Sequence, residues 1–258
     1  MNDELKFTVI SDIHYYSKKN FVDGFDKNKK PKPGQLFFSR SEEIVEHTFD
    51  CLCKNDTPDI VLISGDLTYN GERTSHDEMK AALKKLQQKG KRVYVITATH
   101  DYTTPRMPTY GIDKNDKYIE VESVNRTQLL KYYGDFGYNN AIAKHKSTMS
   151  YVAQLADGYR LFALNDDYGD PDCGFSDELM NWVKTEANNA KRDGQYIIAM
   201  THHPLVPPSP IYAAVAKGDM LNEYELRSKQ LSDLGFDFVL TGHTHMHNIS
   251  YCKIGNKK

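Results

Sequence analysis

Five apolar segments of this chain, rich in β-branched residues, are each followed closely by aspartate or histidine. They lie at residues 7–10, 60–63, 93–96, 196–200 and 238–240. Runs of this kind are typical of buried parallel strands. Open α/β sheets bind their ligands at the carboxyl ends of their strands, so the pattern predicts a site there. The polar residues at these strand ends are Asp12, His14, Asp66, Thr99, His100, Asp101, His202, His203, His243 and His245.

The recurrence of two residue types makes this pattern informative. Polar residues follow many strands simply because loops are polar, and that would explain one or two of the five cases. It does not explain why aspartate and histidine recur while lysine and glutamate, abundant elsewhere in the chain, are absent from these positions. Carboxylates and imidazoles are common ligands of divalent metals in proteins. The strand ends therefore predict a metal site.

The order of elements in the first part of the chain predicts an α/β fold. A helical pattern at residues 39–54 follows the first strand, and Ser75-x-x-Glu78 has the form of a capping box that opens a second helix, stopped at Gly90. Strands alternating with helices predict a parallel sheet with right-handed crossovers. Residues 103–151 are broken by proline and glycine, and we expect an excursion there with a short helix within 124–133.

The second half repeats the alternation after a hairpin. Asp157-Gly158 is a good turn signal between two strands at 150–154 and 159–165. Helices opened by Ser176 and Asn222 precede the strands at 196–200 and 236–240. A short strand is expected at 249–254. We predict one domain over residues 1–258 that lacks a C-terminal part. The polar stretch 15–35 is expected to be a loop, either covering the site or lying on the surface.

Composition excludes some classes of function. The chain has 258 residues and a formal net charge of −2, which argues against long nucleic acids, because these call for basic grooves that follow the phosphates. No apolar run of about 20 residues is present, and we expect no membrane span. The four cysteines show no C-x-x-C repeat, which favours reduced thiols. No signal peptide is visible, so the cytoplasm is the expected location, with a removed signal as the alternative.

Taken together and in order, the motifs resemble those of the calcineurin-like metallophosphoesterases over nearly the whole chain. They are Asp12-x-His14, Gly65-Asp66, His100-Asp101, His202-His203-Pro204 and Gly242-His243-x-His245. The resemblance implies an α/β fold, a four-layer α/β/β/α sandwich with two facing mixed sheets. It also implies two divalent ions, such as Mn, Fe or Zn. Carried over by position, one ion is bound by Asp12, His14, Asp66 and His245, and the second by Asp66, His202 and His243.

The resemblance also implies roles near the third strand. His100 matches the family's catalytic histidine, which stabilises the transition state or protonates the leaving oxygen. Asp101 would orient His100 by taking its other ring proton. The family usually has asparagine, a ligand of the second ion, where this chain has Thr99. A threonine hydroxyl is a poorer neutral ligand, so we expect the second ion to bind weakly.

The function implied is a metal-dependent phosphoesterase in which a metal-bridging hydroxide attacks a phosphodiester or phosphomonoester of a small molecule or nucleotide. The alternatives are an enzyme like the serine/threonine protein phosphatases, or a catalytically degenerate binding or scaffold member of the fold. The expected partner is a small phosphorylated substrate, and the oligomeric state stays open. Four basic residues are candidates for holding phosphate, with solvated surface charge as the alternative: Lys18, Lys19, Arg40 and Arg106.

Overall fold

A computed structural model describes residues 4–22, 38–54, 56–115, 117–168, 172–236 and 238–253. The chain divides into two compact units. The first unit is Lys6–Phe136, and the second comprises Met1–Leu5 and Gly137–Lys258. The expectation of a single domain over residues 1–258 stays a prediction.

The first unit contains a three-stranded parallel sheet in the order β1-β2-β3. Its strands are β1 (Phe7–Ile10), β2 (Ile60–Ser64) and β3 (Arg92–Ile96), and the connecting helices are α1 (Ser41–Leu52) and α2 (Arg73–Gln88). Every residue of β2 is buried. A central strand covered on both faces has no solvent side, which is why residues 60–63 form an unbroken apolar run before Ser64.

The two helices of this unit start and pack slightly differently from the sequence prediction. Helix α1 buries Val45, Phe49 and Leu52, whereas Ile44 is 50% exposed. Helix α2 begins at Arg73, so the capping box predicted at Ser75 was wrong. Ser75 is buried in the first turn, and its hydroxyl accepts hydrogen bonds from the loop after β1, at the backbone of residue 17 and the amide of residue 20.

The excursion after β3 holds the predicted short helix, α3 (Leu129–Tyr133). It also holds a small antiparallel pair, β4 (Gly111–Ile112) and β5 (Tyr118–Ile119). This pair was not predicted, because a strand of two residues is too short to show an alternating pattern.

The second unit contains a five-stranded mixed sheet in the order β10-β9-β8-β7-β6. Strands β8, β9 and β10 run parallel to one another, while β6, β7 and β8 pair antiparallel. The hairpin predicted around Asp157-Gly158 is confirmed as the β7–β8 connection. The strands are β6 (Ala143–His145), β7 (Ser150–Ala156), β8 (Tyr159–Ala163), β9 (Tyr196–Met200) and β10 (Val239–Leu240).

Within the described residues, the α-helices of the second unit are α4 (Asp177–Arg192), α5 (Pro210–Val215) and α6 (Tyr224–Asp233). Ser176 caps α4 as predicted, because its side chain accepts a hydrogen bond from the backbone N–H of Leu179. Helix α6 packs Leu231 into the core, whereas Leu226 is 46% exposed.

The α/β class predicted from the sequence is confirmed, with several sheets. Among the described strands, the sheet of the first unit is wholly parallel, not mixed. Strand β10 is shorter than the predicted 236–240 and lies at the end of the strand order. Residues 249–253 form no strand, and Ile249 is 90% exposed. Part of the predicted long loop, residues 23–35, lies outside the described residues, as does residue 254.

Across the described ranges, no helix combines the length and the apolar character that a bilayer span requires.

Candidate metal centre

In the first unit, the loops that leave the three parallel strands are joined by hydrogen bonds. The backbone N–H of Asp12 donates to the carbonyl of Gly65 at 3.1 Å, and that of His14 donates to the carbonyl of Asp66 at 2.9 Å. The backbone N–H of His100 donates to Asp66 Oδ1 at 2.9 Å. The carboxylate of Asp66 therefore lies between the loop that follows β1 and the turn that follows β3.

Three of the predicted residues form a cluster suited to a cation. One ligand atom each from His14, Asp66 and His100 lie within 4.8 Å of one another. His14 Nε2 is 3.7 Å from Asp66 Oδ2, and the rings of His14 and His100 are 4.7 Å apart between centroids. His14 and Asp66 are buried, so the carboxylate lies in a medium that favours a compensating positive charge. The His14 imidazole and the Asp66 carboxylate are donors that fit a divalent transition metal, and His100 lies beside them.

Most of the predicted ligands in the two units share an uncommon backbone conformation. The left-handed region is uncommon for residues other than glycine, although aspartate, asparagine and histidine enter it more readily than most. Such conformations are costly, on the order of 1–3 kcal/mol each, and they cluster at functional sites. Among the described non-glycine residues with positive φ, five are predicted metal ligands: Asp12 (φ 53°), His14 (44°), Asp66 (54°), His243 (71°) and His245 (51°).

The ring of His100 is oriented by two oxygens from the loop after Asp66. Its Nδ1 atom lies 2.6 Å from the carbonyl oxygen of Tyr69 and 2.8 Å from Asn70 Oδ1. A carbonyl oxygen can only accept, so Nδ1 carries a proton and the lone pair of the neutral ring is on Nε2. Asn70 was missed by the sequence analysis. The only available signal was an Asn-Gly pair shortly after Asp66, and that signal indicates a turn, not a contact with His100.

The role that the resemblance implied for Asp101 was wrong, because the Nδ1 proton of His100 goes to Tyr69 and Asn70. Asp101 Oδ1 accepts from the backbone N–H of Thr68 at 2.9 Å, and its Oδ2 from that of Ala98 at 2.9 Å. The side chain is fully buried. Asp101 therefore ties the turn that carries His100 to the loop that follows β2, which positions the backbone of His100 instead of its ring.

Thr99 begins a short 3-10 turn that runs to Asp101, and it is half-buried. Its participation in metal binding stays a prediction.

Three of the four basic candidates for phosphate binding are paired with glutamates, namely Lys18 with Glu42, Lys19 with Glu78 and Arg40 with Glu43, at 2.7–3.1 Å.

Two buried titratable groups lie directly behind the His100 loop. Burial raises the pKa of Glu72 to about 7, although hydrogen bonds from the backbone and from Ser75 act to lower it. Burial lowers the pKa of His76 to about 3. His76 Nδ1 lies 2.6 Å from the hydroxyl of Tyr133, and its Nε2 lies 3.0 Å from the carbonyl of Asp101. His76 is thus a neutral structural group below the turn that carries His100.

In the second unit, the ends of β9 and β10 bring three histidines together. The ring centroids of His202 and His203 are 5.1 Å apart, those of His202 and His243 are 5.2 Å apart, and those of His203 and His243 are 4.3 Å apart. The backbone N–H of Gly242 donates to the carbonyl of His202 at 2.9 Å, which keeps the two strand ends in register. His245, further along, is exposed.

Asp166, at the end of β8, supports this histidine group. Its Oδ2 accepts from the hydroxyl of Thr201 at 2.8 Å and from the backbone N–H of His203 at 2.7 Å, and it lies 3.3 Å from His203 Nδ1. Burial acts to raise the pKa of Asp166, but His203 and His202 together lower it, and the pKa lies below its ordinary value. Asp166 was not among the predicted site residues.

The strand-end motifs and the cluster around Asp66 agree with a match to a known family. The chain matches the family described as calcineurin-like phosphoesterase over residues 5–247. This chain belongs to the calcineurin-like phosphoesterase family. The resemblance inferred from the strand-end motifs is therefore confirmed, and this calcineurin-like phosphoesterase is a metal-dependent phosphoester hydrolase.

The fold of this calcineurin-like phosphoesterase is similar to that of a solved dimetal phosphatase from Danio rerio. The two share 11% sequence identity, with a TM-score of 0.61, over 93% of this chain and 81% of the other. At that identity the likeness shows the fold alone, a mixed α/β fold of the metallo-dependent phosphatase kind. No curated protein matches the chain significantly.

Proposed function

We propose that this protein hydrolyses a phosphodiester or a phosphomonoester of a small molecule or nucleotide with the help of two divalent ions. The observation that carries the proposal is the cluster of His14, Asp66 and His100, with ligand atoms within 4.8 Å of one another. It lies at the strand ends where the family motifs occur. The modest net charge of −2 favours a small substrate over a long nucleic acid.

The donor set fits divalent cations, because it combines carboxylate and imidazole groups, and five of its six members have a backbone in the uncommon left-handed conformation. We propose the ligands named from the sequence: Asp12, His14, Asp66, His202, His243 and His245. When bound, such ions withdraw charge from the phosphoryl oxygens and make a water molecule nucleophilic near neutral pH. Mn, Fe and Zn are the candidate metals.

His100 supplies the proton in the proposed reaction. An oxygen derived from water forms a bond to phosphorus, and the ester P–O bond breaks with its electron pair going to the leaving oxygen. The proton on Nε2 of a protonated His100 moves to that leaving oxygen, because Nδ1–H is already engaged with Tyr69 and Asn70. His100 is left neutral and takes up another proton from solvent before the next turnover.

The proposal of two ions rests on the ligand set and on the similarity to the Danio rerio protein, which is described as a dimetal phosphatase. We expect the second ion of this chain to be the weaker one, because Thr99 replaces an asparagine ligand of the family. Thr99 is also the feature that favours the second candidate function, a binding member of the fold without turnover.

The test is hydrolysis of a chromogenic phosphodiester and of the matching monoester after chelation, with and without added Mn²⁺. We expect turnover that requires the metal. His100→Ala should reduce kcat by at least ~100-fold while the bound metal, measured by elemental analysis, stays the same. His47→Ala, at an exposed position of α1, is the matched control and should retain full activity.

Turnover of the monoester alone would identify a phosphatase. A protein that binds metal but hydrolyses neither compound would support the binding function instead. Activity unchanged in His100→Ala would contradict the assigned role of that histidine.

A further inference from the structure

We propose that Asn70 is the residue that positions His100 for proton transfer to the leaving group, and that Glu72 fixes Asn70 in place. The inference rests on the proposed function, because it assigns a role in that same reaction. It replaces Asp101 in that role, since the carboxylate oxygens of Asp101 accept from the backbone N–H groups of Thr68 and Ala98.

Asn70 is buried and engaged at both ends of its side chain and on its backbone. Its Oδ1 faces His100 Nδ1 at 2.8 Å, and its Nδ2 donates to the carbonyl of Pro108 at 3.5 Å. Its backbone N–H donates to Glu72 Oε1 at 3.0 Å, and its carbonyl accepts from the hydroxyl of Thr109. The Pro108 contact gives the amide its orientation, so an oxygen and not an NH₂ group faces the imidazole.

This geometry matters because a histidine acts as a proton donor through one nitrogen at a time. With Nδ1–H bound to two oxygens, the ring of His100 cannot turn about its Cβ–Cγ bond without losing both hydrogen bonds. Nε2 is therefore the atom presented to the substrate. Tyr69 contributes only its carbonyl, which no side-chain substitution removes, so Asn70 is the partner that mutation can test.

The sharpest readout is the dependence of the rate on the leaving group. Donation of a proton increases the rate little when the leaving group is the anion of an acidic phenol. It increases the rate strongly when the leaving group is the more basic anion of a weakly acidic phenol. The probes are the p-nitrophenyl and the phenyl ester of the same phosphate, in whichever class, diester or monoester, the wild-type protein hydrolyses. They share the phosphoryl group and differ in the acidity of the leaving phenol.

Asn70→Leu keeps the approximate size of the side chain and removes the acceptor. We expect kcat for the phenyl ester to fall by ~10- to 100-fold and kcat for the p-nitrophenyl ester to fall by about threefold or less, with little change in either KM. Asn70→Asp keeps an acceptor oxygen in the same place, and should restore kcat for the phenyl ester to within about threefold of wild type.

Thr109→Val is the matched control for a general loosening of the loop that carries Asn70. It removes the hydrogen bond to the backbone of Asn70 without touching His100. Any loss of activity in this variant should be the same for both esters. An equal loss for both esters in Asn70→Leu would mean that Asn70 has only a structural role, and would overturn the proposal.

A second readout is independent of turnover. In ¹⁵N NMR spectra of the metal-free protein, the neutral ring of His100 should be protonated at Nδ1, and Asn70→Leu should weaken the hydrogen-bond signature of that N–H. A wild-type ring protonated at Nε2 would overturn the inference even if the protein is active. If the wild-type protein hydrolyses neither ester, the proposed function fails, and the role of Asn70 in that reaction fails with it.

Discussion

Glu72 makes the stability of this protein fall as the pH rises, and Glu72→Gln should reveal the effect. Burial raises the pKa of Glu72 from 4.5 to about 7. Between those values the folded protein keeps a proton that the unfolded chain has released. The unfolded chain then binds fewer protons, so the free energy of unfolding decreases with pH by about 1.4 kcal/mol per unit. Over the window from pH 4.5 to 7 the loss is on the order of 3 kcal/mol.

Glutamine cannot ionise and retains the oxygen that accepts from the N–H of Asn70. The difference in unfolding free energy, Glu72→Gln minus wild type, should therefore rise by roughly 3 kcal/mol between about pH 4.5 and 8. His76 acts in the opposite direction. Its pKa is lowered from 6.5 to about 3, so its contribution is present above pH 6.5 and is lost as the pH falls toward 3. In the wild type, the contributions of Glu72 and His76 to the free energy of unfolding change in opposite directions between pH 4.5 and 6.5 and offset each other.

The assay is urea-induced unfolding of both proteins at several pH values, with the same chelator throughout so that metal binding cancels in the difference. Glu120→Gln, at an exposed position, is the control and should follow the wild type at each pH. The unfolding free energy of Glu72→Gln minus that of the wild type should grow with pH. If this difference were constant, or shrank as the pH rises, the assignment of a buried, protonated Glu72 would be refuted.

Two further predictions concern metal affinity and the loop that carries Asn70. Thr99→Asn should tighten binding of the weaker metal ion by ~10-fold, measured by calorimetric titration; equal affinity in both proteins would show that residue 99 is not a ligand. Gly71→Ala should destabilise the fold by about 2–4 kcal/mol, because φ is +75° and an added Cβ would lie 2.6 Å from the backbone of Tyr102. Gly90→Ala, where φ is +87° but the surrounding space is open, should cost only about 1 kcal/mol in the same denaturant assay.

The strand ends of the site were predictable from the sequence because two strong signals coincide there. An unbroken apolar run such as β2 marks a buried strand, and the carboxyl end of a parallel strand is a ligand position. Side-chain contacts within the loops were not predictable in this way. The partner of His100 depends on how the loop after Asp66 turns, and an Asn-Gly pair does not reveal which group the asparagine will face.

Other errors have similar physical causes. Ser75-x-x-Glu78 has the spacing of a capping box, but helix α2 already begins at Arg73. The hydroxyl of Ser75 instead accepts a hydrogen bond from the loop after β1. Strand β10 was predicted over residues 236–240 from its apolar sequence, yet the described strand is Val239–Leu240, because an apolar sequence does not show how many residues pair with a neighbouring strand.

The left-handed backbone at five of the predicted ligands also bears on protein engineering. Glycine adopts that conformation without a steric penalty, so replacing the more exposed Asp12, His243 or His245 by glycine relieves strain as it removes a donor. A selection for heat resistance alone would therefore favour changes at these positions. Variants enriched by such a selection would keep the fold while losing the chemistry, which makes a coupled screen for turnover necessary in any attempt to stabilise this enzyme.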